Sequence, residues 1–384
     1  MSRVLIYKSD LLPYSETFIV EQVKALRRWQ ATVVGLRRIP GLSLDELSVH
    51  LLLNDQSSDF RRLPLKFASQ IRWLPEAIVS PLRSLKPALV HAHFGTEAHF
   101  ASIIASKLSV PLLVTLHGFD IYGLPSWWKA GHAGFFNRFY PRQLASVIAR
   151  GARFLAVSNS IRQEAIARGV PPQHIITHHI GINTQAFNPG VVPMAARAPT
   201  VLFVGRLVEK KGGEILIQAF ARVNQQLPEA TLLIAGDGPQ RSLLTAMARE
   251  LGVNINFLGA VPSSDMPNLM HTARVLCLPS ITAHNGDAEG FGMVLLEAQA
   301  CGLPVITSAK GGAEEGLIHN ETGYAFAEGD IPDLANHLLR LLSDTNLCAQ
   351  MGANARQFVT HNFDIKRHTR RLEAHYDAIV SGAL

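Results

Sequence analysis

Short apolar, β-branched runs alternate with amphipathic stretches along the whole chain, and the series occurs twice. The strand-like runs of the first series are Val4–Tyr7, Ala31–Leu36, Leu89–Ala92, Leu112–Leu116, Phe154–Val157 and Ile175–His178. Those of the second are Val201–Val204, Thr231–Ala235, Ile255–Leu258, Val275–Leu278, Val305–Thr307 and Tyr324–Phe326. Helix-period segments such as Glu214–Gln226, Gln240–Leu251, Ile331–Ser343 and Leu347–Thr360 separate them. Strands without polar alternation, spaced by helices, predict parallel sheets covered on both faces. Two such series in 384 residues predict an α/β chain of two doubly wound domains. Asn188–Thr200, rich in Pro, Ala and Val, reads as the linker. Sheets of this kind bind ligands beyond the carboxyl ends of their strands, which predicts a site in an interdomain cleft.

Composition narrows the class. An apolar content of 47% excludes disorder, and no apolar run approaches the ~20 residues that span a bilayer. Met1–Tyr7 leads into a strand pattern rather than a signal peptide. Cys277, Cys301 and Cys348 read as reduced core residues, which points to the cytoplasm. No G-x-G-x-x-G follows the first strand and no P-loop is present, which argues against a dinucleotide oxidoreductase or a P-loop hydrolase. His91-Ala92-His93 and His178-His179 raise the question of a metal. Neighbouring strand residues point to opposite faces, however, and no cysteine or carboxylate cluster completes a ligand set.

Charge is divided unevenly. Residues 1–190 hold 21 basic and 11 acidic side chains, and residues 191–384 hold 15 and 19. The first half is therefore +10 and the second −4, which suggests an anionic partner for the first.

Two loops carry the chemistry. Gly286-Asp287-Ala288-Glu289-Gly290-Phe291-Gly292 runs from a strand end into a helix containing Glu297. Glycines at a helix start let a ligand approach unpaired backbone N–H groups, which attract an anion. Carboxylates beside such a site suit sugar hydroxyls rather than the phosphate itself. Gly205-Arg206-Leu207-Val208-Glu209-Lys210-Lys211-Gly212 follows another strand, and Arg206 and Lys211 can converge on a diphosphate.

These segments, with Gly236-Asp237-Gly238-Pro239 and Phe257-Leu258-Gly259, resemble in order and spacing the retaining nucleotide-sugar glycosyltransferases of family 4. The likeness continues through Ala300-Cys301-Gly302-Leu303-Pro304 and Gly311-Gly312. In the first half, Thr115-Leu116-His117-Gly118-Phe119-Asp120 looks like the family's strand-end segment. Ser15-Glu16-Thr17-Phe18-Ile19 and His91-Ala92-His93-Phe94-Gly95 resemble the branch that builds bacterial exopolysaccharides and capsules. Leu12-Pro13-Tyr14-Ser15-Glu16 stands where many members carry a Gly-Gly loop.

The resemblance implies the GT-B fold: an acceptor domain of 1–182 plus 365–384, and a donor domain of 183–364. It implies a configuration-retaining hexosyltransferase that moves a sugar from a nucleoside diphosphate sugar to a glycan acceptor, without metal or other cofactor. Arg206 and Lys211 would neutralise the diphosphate. Glu289 would bind the transferred sugar with the amides at Gly290, Phe291 and Gly292, and Glu297 would hold the ribose. Gly259 and Val261 would line the base. His117 would face the anomeric centre, with Ser15, Glu16 and Asp120 on the acceptor side. Glu289 is expected to position the sugar without acting as a nucleophile, the departing diphosphate taking the acceptor proton.

In exopolysaccharide assembly the acceptor is commonly linked to polyprenyl diphosphate at the inner leaflet. The run from Pro125 to Arg142 sets Trp127, Trp128 and several other aromatics among basic residues, as an interfacial helix would. The same run also suits a helix that buries its aromatics. The expected location is thus cytoplasmic, at the inner face of the plasma membrane against anionic lipid, with no nucleic-acid partner. A soluble transferase with a small or oligosaccharide acceptor and a catalytically silent nucleotide-sugar-binding partner are the alternatives.

Overall fold

Apolar strand runs with helices between them do form two parallel sheets, seen in a computed structural model that describes residues 1–53, 59–308 and 310–383. The chain divides into two units, Met1–Gly181 together with Ile365–Leu384, and Ile182–Asp364.

In the first unit the sheet strands are β1 (Ser2–Tyr7), β2 (Trp29–Gly35), β3 (Val49–Leu51), β4 (Leu89–His93), β5 (Leu112–Leu116), β6 (Arg153–Ala156) and β7 (Ile175–Thr177). They lie in the order β3-β2-β1-β4-β5-β6-β7, all parallel. The order reverses at β1, so the chain turns outward from β1 and β4 in both directions and opens a crevice beyond their carboxyl ends. The helix Ile365–Val380 returns to this unit, and its Leu372, Tyr376 and Ile379 join the core of Val4, Ile6, Val33 and Leu113. The Glu373 carboxylate fixes that return. It accepts the backbone N–H groups of Arg27, Arg28 and Trp29 at 2.7, 2.5 and 3.1 Å.

The second unit repeats the scheme with β8 (Thr200–Val204), β9 (Thr231–Ala235), β10 (Ile255–Gly259), β11 (Val275–Leu278), β12 (Val305–Ser308) and β13 (Gly323–Phe326). Their order is β10-β9-β8-β11-β12-β13, again all parallel with the reversal at β8. Helices cover both faces. Ile331–Ser343 starts where the Asp330 side chain accepts the Asp333 N–H at 3.0 Å, and buries Leu334, Leu338 and Leu341.

One expectation is corrected. Asn188–Thr200 is not a free linker but part of the second unit. Met194 is buried in that core, and the Arg197 guanidinium donates to the Ala273 carbonyl at 3.0 Å. The three cysteines are buried and unpaired.

Candidate functional site

In the second unit the two loops singled out from the sequence meet at the carboxyl ends of β8 and β11. After β8 the chain makes a tight turn at Glu209–Lys211 before the helix Gly213–Gln226. Gly212 joins the two at φ +66°, and a Cβ there would sit 1.9 Å from the Pro279 carbonyl oxygen. Only glycine lets the turn press so closely against the end of β11.

The turn and the 280–289 loop are then joined residue by residue. Glu209 holds the His284 side chain and accepts its backbone N–H, at 3.2 Å for the latter. Lys210 pairs with Asp287 at 3.0 Å and Lys211 with Glu289 at 2.5 Å. The Ile281 N–H also donates to the Lys210 carbonyl at 2.8 Å. Ser280 Oγ lies 3.3 Å from the same Glu289 oxygen that Lys211 holds. Burial alone would raise the Glu289 carboxyl. The adjacent Lys211 and then Lys210 outweigh it and hold the group at about 2. Burial pushes Asp287 up, against the pull of Lys210.

Two groups are left unpaired beside this clasp. The Arg206 side chain is exposed and has no ion-pair partner among the described residues. Glu297 lies one turn into the helix Met293–Ala300, which Gly292 opens at φ +76°. Its carboxyl has no hydrogen bond among the described residues, and burial pushes it up to about 7. The Phe291 ring is buried and packs against Phe363, 5.6 Å between centroids, so position 291 offers its backbone rather than its ring. Gly259 closes β10 in a turn where its carbonyl accepts the Gly236 N–H at 2.7 Å, and the Val261 side chain packs on the core. The structure thus brings Arg206, Lys211, Glu289 and Glu297 to one end of one sheet.

The first unit assembles a different set. His117 follows β5, and its Nε2 is 3.1 Å from His93 Nδ1 on β4. Phe94 and Phe18 flank the His117 ring, at 4.4 and 4.9 Å between centroids. His91 continues the row, bonded through Nδ1 to the Tyr376 hydroxyl and through Nε2 to Thr115 Oγ1, each at 2.7 Å. Burial keeps these imidazoles neutral, pushing His93 down to about 3 and His117 well below its usual value, with Lys8 adding to both. His93 and its link to His117 were missed. The signal was present: residues two apart on a strand share a face, so His91 and His93 point the same way.

Lys8 was missed as well. At the end of β1 it bridges Glu97 at 3.2 Å and Glu16 at 3.5 Å, and Glu97 accepts from Ser9 Oγ at 2.5 Å. Burial pushes Glu16 up to about 7 despite Lys8. Ser15 beside it is exposed.

Asp120, expected on the acceptor side, is buried and turned to the backbone. Its buried carboxylate accepts the N–H groups of Gly95 at 2.6 Å, Gly118 at 2.8 Å and His117 at 3.1 Å. It positions His117 and the start of the helix Gly95–Leu108. Trp128 does not face a membrane. It is 1% exposed, donates Nε1–H to the Gly123 carbonyl at 3.2 Å and packs against Phe119 and Tyr140. Trp127 is half-buried above it. Exposed apolar side chains of this unit include Phe67, Ile71 and Trp73, on the helix Asp59–Gln70 and beyond, and Phe135. Phe67 stacks edge-on against Phe136, 5.0 Å away, and Phe136 against Phe135 at 5.4 Å, which joins Phe67 and Phe135 in one patch. No helix among the described residues is long and apolar enough to cross a membrane.

Residues 15–186 match the model of Glycosyltransferase Family 4 and residues 184–358 that of Glycosyl transferases group 1. The chain is 32% identical over 294 residues to glycogen synthase of Mycobacterium tuberculosis, covering 73% of this chain and 66% of that one. It is 35% identical over 277 residues to the amylovoran biosynthesis glycosyltransferase AmsK of Erwinia amylovora, covering 70% and 64%. The matches therefore span about two thirds of these relatives' own length. Among solved structures, Anabaena Alr3699/HepE in complex with UDP-glucose superposes with a TM-score of 0.78 at 22% identity, over 98% of this chain and all of that one.

Proposed function

Because the chain belongs to the family-4 glycosyltransferases with a GT-B fold, we propose that it transfers a hexose from a nucleoside diphosphate sugar to a glycan acceptor with retention of configuration, in exopolysaccharide or cell-surface polysaccharide synthesis. The observation that carries the reading is the set at the end of β8 and β11: unpaired Arg206, the Lys211–Glu289 pair and unpaired Glu297 beside a glycine-opened helix. Arg206 and Lys211 neutralise the diphosphate, the task a metal performs elsewhere, so the reaction proceeds without one. Glu297 accepts from the ribose hydroxyls. Gly259 and Val261 border the base, and the backbone at Gly290, Phe291 and Gly292 serves the sugar and phosphate.

In the transfer, the bond from anomeric carbon to diphosphate oxygen breaks, and the acceptor hydroxyl bonds to that carbon on the same face. Its proton passes to the departing diphosphate. A double displacement would need a free carboxylate beneath the anomeric carbon. Glu289 is already held by Lys211 and Ser280, which suits positioning of the sugar hydroxyls and not covalent attack. His117 serves the acceptor side, together with Ser15 and Glu16 of the same unit. The patch of Phe67, Ile71, Trp73 and Phe135, beside Lys66 and Arg138, suits peripheral attachment to an anionic inner leaflet and a polyprenyl diphosphate-linked acceptor.

A thermal-shift panel of nucleotide sugars tests the donor. Saturation at ~100 times Kd stabilises by roughly 2.7 kcal/mol, and Arg206→Ala should abolish the shift. Chelation should leave turnover intact, and NMR of the product should show the donor's anomeric configuration. An inverted product, or a glycosyl adduct on Glu289 found by mass spectrometry, overturns the mechanism. Flotation with anionic vesicles tests the attachment: Phe67→Ser with Phe135→Ser should release the protein. The likeness to glycogen synthase favours a second reading, a soluble oligosaccharide acceptor, and vesicle-independent turnover on such an acceptor would select it.

A further inference from the structure

The first unit has a cavity at the opposite end of its sheet from the histidine row. It occupies about 560 Å³ at the amino ends of β5 and β6, where Leu112 and Arg153 begin the strands. His117 lies beyond the carboxyl end of β5, roughly 15 Å away at ~3.3 Å per strand residue. The volume is within the range that holds a small molecule.

The lining is charged in one sense only. Arg72, Arg150 and Arg153 line the cavity with Ser102 and Ser106, and no carboxylate lines it among the described residues. Arg72 is built in. Its backbone adopts the left-handed φ of +58°, and its Nη1 donates at 3.2 Å to Ser102 Oγ, which itself donates to the His99 carbonyl at 2.7 Å. Burial and then the neighbouring Arg150 depress the Arg72 guanidinium. Arg150 and Arg153 have no side-chain hydrogen bond or ion pair among the described residues. Three cations around one void, with no carboxylate among the described residues lining it, repel one another until an anion joins them. Guanidinium forks match phosphate oxygens, and the serine hydroxyls add donors.

We propose that this cavity is a binding site for a phosphate-bearing anion, held by Arg72, Arg150 and Arg153, and separate from the donor and acceptor sites. The phosphate can be a free anion or the headgroup of a membrane lipid. Exposed Ile71 and Trp73, on either side of Arg72, place the site beside the apolar patch.

The test titrates inorganic phosphate at constant ionic strength, with UDP present to occupy the donor site. In parallel, vesicles of phosphatidylglycerol and of phosphatidylcholine are presented to the same protein. Hydrogen exchange over 147–156 provides a local readout. Saturable phosphate binding that protects this segment identifies a free-anion site. Protection by phosphatidylglycerol vesicles alone identifies a headgroup site. In either case Arg150→Gln with Arg153→Gln should weaken binding about tenfold or more, the corresponding double Lys variant should recover part of it, and Arg206→Ala should not change it. Unchanged hydrogen-exchange protection of Leu89–His93 and Leu112–Leu116 in the double Gln variant without ligand shows that the first unit folds. Equal binding by wild type and the double Gln variant, or no protection of 147–156 by any probe, overturns the proposal.

Discussion

The two sheets share a strand order around the reversal point, yet the polar clusters at their carboxyl ends solve opposite electrostatic problems. In the second unit the two partly buried lysines have counter-charges: Lys210 with Asp287, Lys211 with Glu289. In the first unit His91, His93 and His117 have no acidic partner and stay neutral through burial. A clasp of ion pairs can exchange partners when a diphosphate arrives, because its lysines are already charged and oriented. A row of neutral imidazoles cannot neutralise phosphate, but it can accept from or donate to a sugar hydroxyl. Similar folds therefore present one end suited to charge and one suited to hydroxyls, and residue content decides which.

The sharpest way to break this contrast is to cut the clasp. Lys211→Ala or Glu289→Gln alone strands a partner that is largely buried, a loss of roughly 3–5 kcal/mol in chemical denaturation. Joint replacement by Met and Gln should cost less than the two single losses added together. All three variants should lose transfer by about a hundredfold or more. Additive losses would show that the pair is not a unit.

Acid provides the next test. A buried histidine with a depressed pKa binds its proton only in the unfolded chain, so its contribution to stability is lost as pH falls below 6.5. His91, His93, His117 and His178 act in this sense in the first unit. Glu16 and Asp120, both raised, oppose them. The four histidines alone outnumber the two carboxyls, and depressed His99, His174 and His375 add to them, so the first unit should lose at least about 1.4 kcal/mol per pH unit from 6.5 to 4.5. In the second unit, depressed His337 withdraws stability over that window, but raised Glu297 and Asp287 favour the folded state and outnumber it, and depressed Glu289 withdraws stability only below 4.5. Hydrogen exchange should show the first unit loosening while the second does not. Parallel loosening of both would remove the distinction.

A smaller effect separates positioning from acceptor contact. Asp120→Ala leaves three backbone N–H groups without their acceptor, at roughly 1–3 kcal/mol. Exchange at Gly95, His117 and Gly118 should accelerate, with donor affinity unchanged. A shift in acceptor KM with exchange unaltered would return Asp120 to the acceptor.

Much of this was legible in advance because parallel strands are buried on both faces and write themselves as unbroken apolar runs. The missed strand Val49–Leu51 is short and only half-buried. Pro64 and Pro81 interrupt the helices Asp59–Gln70 and Glu76–Ser84, which hid them from periodicity. That Arg206, Lys211, Glu289 and Glu297 gather at one sheet end was legible because glycine turns and strand ends mark the loops that carry them. Lys210–Asp287 and Lys8–Glu97 were not, since ion pairs 77 and 89 residues apart leave no local pattern. Trp127 and Trp128 carried a usable signal. Successive helical residues point about 100° apart, so a one-turn helix docked on a core cannot expose both.

The finest prediction concerns Glu297, the one carboxyl among the four residues named at the second site that no partner holds. At about 7 its carboxyl is half ionised near neutrality. In the proposed role, accepting from ribose hydroxyls, it works better ionised, because a carboxylate offers only acceptors and makes the stronger bond. From pH 6 to pH 8 the ionised fraction rises about tenfold, so donor affinity should tighten by up to that factor, about 1.4 kcal/mol. Glu289, at about 2, stays ionised throughout and contributes no slope. Glu297→Gln should flatten the profile near the low-pH affinity, whereas Glu289→Gln should lower the whole curve and keep its shape. A wild-type profile already flat between pH 6 and 8 would mean that Glu297 binds as the acid or does not touch the donor.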